Sequence, residues 1–122
     1  MKLKYLIHKH KATHLHWDLR LEYKGVAKSW AVPKEPTIEE GIKRLAVQVE
    51  DHAVDYMDFK GVIPEWQYGA GTVEIWDKGY WEPEIVEEKK IVGIIYGEKL
   101  KGKFTLINFK DKNWLFFRVK EQ

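Results

Sequence analysis

From His14 to Glu22 the chain alternates without a break. His14, His16, Asp18, Arg20 and Glu22 fall on one parity, Leu15, Trp17, Leu19 and Leu21 on the other. Successive side chains of a strand point to opposite faces, so this stretch is a strand with an apolar back and a row of ionisable groups in front. Two residues along a strand span about 6.6 Å, which lets His16 and Asp18 reach one ion lying between them. Arg20 then stands beside that ion as an anion clamp. His10 lies six residues upstream of His16, across the polar segment Lys11-Ala12-Thr13, and is expected to fold back from a loop toward the same point.

The same period recurs along the chain. Leu3 to His8 reads as a first strand, and Lys24-Gly25 is a tight turn between the second strand, His14 to Tyr23, and a third, Val26 to Val32. Pro33 and Pro36 end the third strand and frame Lys34 in an exposed loop. Thr37 to Glu40 is expected to make one helical turn capped by Thr37. Ile42 to Glu50 alternates with Leu45, Val47 and Val49 inward, which puts Arg44 and His52 on one side of the same strand. Val54 to Phe59 reads as a helical turn or loop. Pro64, Gly69 and Gly71 mark a loop before a strand from Thr72 to Asp77, with Val73 and Ile75 inward. Glu84 to Lys90 reads as a solvated connection. Val92 to Glu98, Gly102 to Phe109 and Trp114 to Lys120 complete the set, the last two joined by the polar turn Lys110 to Asn113.

The expected class is all-β and mainly antiparallel, with one or two short helical turns: many short strands in a small chain make either a sandwich or a small closed or nearly closed β-barrel of about eight strands, and patterning alone does not choose between them. At 122 residues, a single domain over 1–122 is expected. Six Trp, six Tyr and five Phe are a heavy aromatic load, and a β-rich core absorbs most of it. With 44% hydrophobic and 33% charged residues, a disordered chain is excluded. No run approaches the ~20 apolar residues of a membrane span, so no membrane partner is expected. Zero cysteines remove disulfides and thiolate metal sites and make a cytoplasmic location the default.

A net charge of +2 does not by itself announce a nucleic-acid binder, so any phosphate affinity must come from local placement. Four of the five histidines fall between His8 and His16, with Asp18 two residues beyond. Two imidazoles and a carboxylate form a normal mixed donor set for a divalent ion. Arginine occurs only at Arg20, Arg44 and Arg118, and guanidinium is the better planar clamp for phosphate. Arg20 reads either as that clamp or as a salt-bridge partner of Glu22 or Asp18. Lys34 reads as a phosphate contact or a solvated loop lysine. His52 is open between ligand, phosphate donor, general acid and plain hydrogen-bonded loop residue. An ion with neighbouring cations is what phosphoester cleavage asks for.

Read together, HKHKATHLHWDLRLE, GVAKSWAVPKEP, KRLAVQVEDHAVDYMDFKGVIPEWQYGAGTVEIWDKGYWEP and GEKLKGKFTLI resemble the 3′-phosphoesterase domain of bacterial DNA ligase D and its stand-alone archaeal relatives. The likeness covers nearly the whole chain. It implies a small β-barrel and a manganese-dependent enzyme that removes a 3′-terminal ribonucleoside and then the 3′-phosphate, leaving a 3′-hydroxyl for end joining. Carried over by position, it implies metal ligands at His10, His16 and Asp18. It implies catalytic or phosphate-contacting roles at Arg20, Arg44, His52, Lys34 and Tyr56. It implies nucleic-acid 3′ ends as substrate, with a separately encoded ligase and polymerase as partners. His8 stands where the ligase D domains commonly have Gln, and the chain starts almost at the first strand, without their N-terminal arm. Trp66 replaces a usual small residue and offers a stacking surface for a terminal base. Two rival readings are a non-catalytic module that holds 3′ ends and a small-molecule phosphoesterase.

Overall fold

The computed structural model describes residues 2–120 and contains nine strands. They are β1 (Leu3–Lys11), β2 (Leu15–Tyr23), β3 (Val26–Val32), β4 (Arg44–Ala53), β5 (Gly61–Ile63), β6 (Gly71–Val86), β7 (Lys90–Gly97), β8 (Lys101–Lys110) and β9 (Asn113–Arg118). Hydrogen bonding runs β1-β2-β3-β4-β9-β8-β7-β6, and β6 returns to β1, so eight antiparallel strands close into a barrel. β5 pairs with residues 71–73, on the side of β6 that β7 occupies further along. Closure removes the open edges that would otherwise invite pairing with another chain. A single 3-10 turn, Val54–Asp58, interrupts the strands.

The alternation in the sequence dictates what fills this barrel. An eight-stranded barrel has room inside for side chains and little else. Tyr5, Ile7, Trp17, Leu19, Leu21, Trp30 and Val32 from β1–β3 meet Ile91, Ile95, Phe104, Leu106, Trp114 and Phe116 from β7–β9 in one buried cluster. Trp30 and Trp114 pack edge to face at 5.6 Å, and Phe104 stacks on Phe116 at 5.1 Å. The Lys24-Gly25 turn has positive φ at both residues (50° and 82°), the twist a two-residue hairpin needs.

One buried carboxylate fastens the far end. Asp77 accepts from the Tyr5 hydroxyl at 2.7 Å and from the backbone N–H groups of Glu98, Lys99 and Leu100 at 2.9 Å. Each oxygen takes a backbone donor, so an amide in its place must turn its NH₂ toward at least one N–H. Asp77→Asn is therefore expected to cost about 3 kcal/mol of stability, read from urea unfolding; a loss under about 0.5 kcal/mol would refute this account of the turn.

The other parity of β1–β3 faces outward, yet part of it is buried. Leu6 and Ala27 are covered by Met57 from the 3-10 turn, with Val54 and Ile75 alongside, forming a second, smaller core outside the barrel. Residues 54–70 thus roof the outer face of the first three strands.

Several expectations change. β1 runs to Lys11, so His10 stands on a strand and not in a loop. Residues 37–40 form no helix: the Thr37 hydroxyl accepts from the Glu39 N–H at 3.1 Å, a local turn that competes with helical bonding. β6 continues to Val86, and Val73 and Ile75 register with His10 and His8 on the outer face, under the roof rather than in the barrel. In β4 the inward residue is Ala46, fully buried against Trp114, while Leu45 is 41% exposed.

Candidate active site

The β1–β2 register sets His10 directly opposite His16 and His8 opposite Asp18. Cross-strand neighbours on one face lie within side-chain reach, so four ionisable groups meet on the outer face of a single hairpin. His10 Nδ1 lies 3.6 Å from Asp18 Oδ2, and His16 Nε2 lies 3.3 Å from Asp18 Oδ1. The two rings meet edge to face at 4.8 Å. One nitrogen or oxygen from each of the three residues falls within 4.8 Å of the others.

The remaining ring nitrogens decide what this cluster is for. His10 Nε2–H donates to the Gly69 carbonyl at 2.8 Å, and His16 Nδ1–H donates to the His14 carbonyl at 3.0 Å. Both tautomers are thereby set with a lone pair toward Asp18. Two imidazole lone pairs and a carboxylate facing one point repel unless a cation lies among them. The donor set therefore fits a first-row divalent metal ion. Without one, a proton serves: hydrogen bonding to Asp18 raises the His16 pKa. Burial pushes the Asp18 carboxyl upward, but His16, Arg20 and His10 outweigh it and hold the pKa below the ordinary value.

Arg20 is buried beside this cluster with its guanidinium nitrogens committed in different directions. Nε donates to His8 Nδ1 at 3.0 Å and Nη1 to Ser29 Oγ at 2.7 Å, while Nη2 lies 3.5 Å from Asp18 Oδ2. Ser29 in turn donates to the Ala27 carbonyl at 3.0 Å. His8 Nε2–H donates to the Phe59 carbonyl at 2.9 Å, which leaves Nδ1 bare for Arg20. Burial first, then Arg20, lowers the His8 pKa to about 4, so the ring is neutral at pH 7 and can accept. The Tyr56 ring lies 5.0 Å from the guanidinium carbon and is stacked between His52 (4.9 Å) and Phe59 (5.3 Å). Among the described residues Asp18 is the only carboxylate paired with Arg20.

His52 reaches this face because of a bulge. Ala27 registers with His52, but Ser29 registers with Val49, so Lys28 alone opposes both Glu50 and Asp51 of β4. The extra residue reverses the parity of β4 along its length. His52 shares the outer face with Ser29 and Val49, whereas Arg44 keeps the parity of buried Ala46. The expectation that Arg44 and His52 share one side is overturned. His52 Nδ1 lies 3.2 Å from Arg20 Nη1 and 3.1 Å from the Glu50 carbonyl. The first contact needs a bare Nδ1 and the second a protonated one, so the ring keeps one of them at a time. Burial and Arg20 lower its pKa below the ordinary histidine value.

A cavity of about 400 Å³ is lined by His10, His16, Asp18, Arg20, His52 and Tyr56, with Ile63, Tyr68 and Gly69 from the roof. Six of the eight residues expected at a site therefore meet at one place. Lys34 and Arg44 do not line it. Lys34 is exposed on the loop between β3 and β4, and Arg44 Nε donates to the Glu35 carbonyl at 2.8 Å. Larger depressions elsewhere, one of about 600 Å³ along β6, gather no comparable donor set.

Sequence reasoning left His8 unassigned and passed over Ser29 and the two carbonyls. Ser29 had a signal: counting outward from the two-residue turn at Lys24-Gly25 pairs Arg20 with Ser29. The Phe59 and Gly69 carbonyls had none, because any residue type supplies a carbonyl.

The class defined by fold and site is a closed antiparallel barrel that carries two histidines and a carboxylate beside a buried guanidinium on its outer face. The family model described as the DNA ligase D 3′-phosphoesterase domain matches residues 8–108, and the chain belongs to that family. It is 49% identical over 125 residues to the multifunctional non-homologous end joining protein LigD of Pseudomonas aeruginosa, covering 97% of this chain and 15% of that protein. It is 44% identical over 130 residues to the protein of the same name from Mycolicibacterium smegmatis, covering 98% of this chain and 17% of that protein. The corresponding Mycobacterium bovis protein is 37% identical over 122 residues. The chain thus spans less than a fifth of the length of these curated relatives. No helix among the described residues is long and apolar enough to cross a membrane.

Proposed function

We propose that this chain is a Mn²⁺-dependent 3′-end-healing phosphoesterase, which removes a 3′-terminal ribonucleoside and then the remaining 3′-phosphate to leave a 3′-hydroxyl. The observation that carries the reading is the convergence of His10 Nδ1, His16 Nε2 and Asp18 beside buried Arg20. His10, His16 and Asp18 would hold the ion, which when bound supplies Lewis-acid polarisation of a phosphoryl oxygen. Arg20 offsets charge on the phosphate. Its orientation is set beforehand by His8 and Ser29, so little reorganisation is needed as charge develops. His52, held against Tyr56 and beside Arg20, is the titratable group placed to exchange a proton with the ester through a ring nitrogen. Lys34 and Arg44 stand outside this set. A ligase and a polymerase would take over the healed end.

The test is product analysis on a DNA primer tipped with one ribonucleotide, paired to a template, with a panel of divalent metals. The expected result is a product one nucleoside shorter with a 3′-phosphate, then its conversion to a 3′-hydroxyl, supported by Mn²⁺ and lost after exhaustive chelation. Binding without any cleavage would favour a module that only holds 3′ ends. Faster hydrolysis of a free nucleotide than of the primer would make the substrate a small phosphoester.

A further inference from the structure

Tyr68 has no structural work to do. Its side chain is fully exposed, and among the described residues its ring makes no hydrogen bond and touches no other ring. Trp66, two residues away, is 84% exposed. Single exposed aromatics are ordinary, but two within three residues, one of them lining the candidate site, are less so.

Their loop is not loosely placed. The Gln67 N–H donates to the Pro64 carbonyl at 3.0 Å, closing a turn with Glu65 and Trp66 at its corner. Gly69, whose φ of 79° few other residues accept, gives its carbonyl to His10 Nε2 at 2.8 Å. The loop is therefore tied to a candidate metal ligand one residue after Tyr68. Tyr68 lines the same cavity as His16, Asp18, Arg20 and His52, whereas Trp66 does not.

The chemistry of the loop narrows its ligand. Residues 61–71 contain no Lys or Arg and carry one acid, Glu65, so the loop is not built to follow a phosphate backbone. It offers uncharged ring faces. A phosphate held in the cavity brings its own sugar and base within one nucleotide's length, and an aromatic ring takes any base by stacking. We infer that Tyr68 is the stacking face for the nucleobase of the terminal nucleotide, whose phosphate lies against Arg20 and His52. The role passes to Tyr68 from Trp66, where sequence alone had suggested it. This rests on the reading of the cavity as a 3′-end site, and it adds that recognition extends to the base without selecting which base.

A double-mutant cycle tests it by equilibrium binding, with chelator present so that no turnover occurs. The probes are two fluorescent oligonucleotides ending in a 3′-phosphate, one with a normal terminal base and one with an abasic terminal residue. The unsubstituted protein is expected to bind the first on the order of tenfold more tightly. Tyr68→Ala should remove that preference, and Tyr68→Phe should keep it, since the ring and not the hydroxyl stacks. Equal affinity of the unsubstituted protein for both probes, no binding of either even with Mn²⁺ restored, or an equal loss on both in Tyr68→Ala would overturn the inference. Base-dependent binding without cleavage in the primer assay would instead count against the phosphoesterase reading alone.

Discussion

Replacing Asp18 by asparagine is expected to lower 3′-end cleavage on the order of a thousandfold while the barrel stays folded. The substitution keeps shape and removes charge. Asp18 is the one anion among the three converging donors, and it is also the carboxylate paired with buried Arg20. An amide can face only one of its neighbours with oxygen. Its NH₂ then opposes Arg20 or occupies the space where a cation would be held. A bound ion contributes several kcal/mol of transition-state stabilisation, and each 1.36 kcal/mol is a factor of ten in rate, so losing about 4 kcal/mol gives the stated size. His16→Ala and Asp18→Ala should act in the same direction. Metal content per protein and single-turnover rates with Mn²⁺, alongside circular dichroism, check this. Full activity in any of these folded variants would remove the metal assignment.

Arg20→Lys is expected to cost on the order of a hundredfold in kcat, although it preserves the charge. The guanidinium serves His8, Ser29 and Asp18 from three different nitrogens, a fork that a single ammonium cannot reproduce. Lysine would leave His8 Nδ1 and Ser29 Oγ short of a donor and would move the positive charge off its preset line. Removing one preorganised donor from a reacting centre commonly costs 10²–10³ in kcat, by general experience with such sites. Steady-state kinetics on a 3′-phosphate primer should show the loss mainly in kcat. A variant within about threefold of the original would mean that Arg20 acts as a point charge and that its fork is incidental.

The fold was legible wherever alternation and turn chemistry agreed. The strand from His14, the Lys24-Gly25 turn and the closing hairpin at 110–113 follow from period-two patterning and turn residues; strand number left barrel and sandwich open, and it was the resemblance that pointed to the barrel closed by β1 and β6. What escaped did so for a common reason. The bulge in β4 sits among Glu50 and Asp51, where no glycine or proline marks it, yet it decides the face of His52 and separates it from Arg44. Pro83 argues against a strand interior, but β6 passes through it beside another register shift. The roof over 54–70 is a tertiary arrangement: Met57, Leu6 and Ala27 become a core only once three separate segments meet. The candidate site was legible as residue types on one strand. Its assembly was not, because half of what orients those residues is backbone.

The two cores described here lie on opposite sides of the same three strands. Aromatic packing inside the barrel holds the molecule together, while every group of the candidate site stands outside it, under a roof resting on three buried side chains. Durability and chemistry are housed in separate compartments that share a wall. Many enzymes trade one against the other because the same residues serve both. In this barrel the interior can drift toward tighter packing without approaching the reacting groups, and the roof can change length or composition to admit a different chain end without loosening the interior.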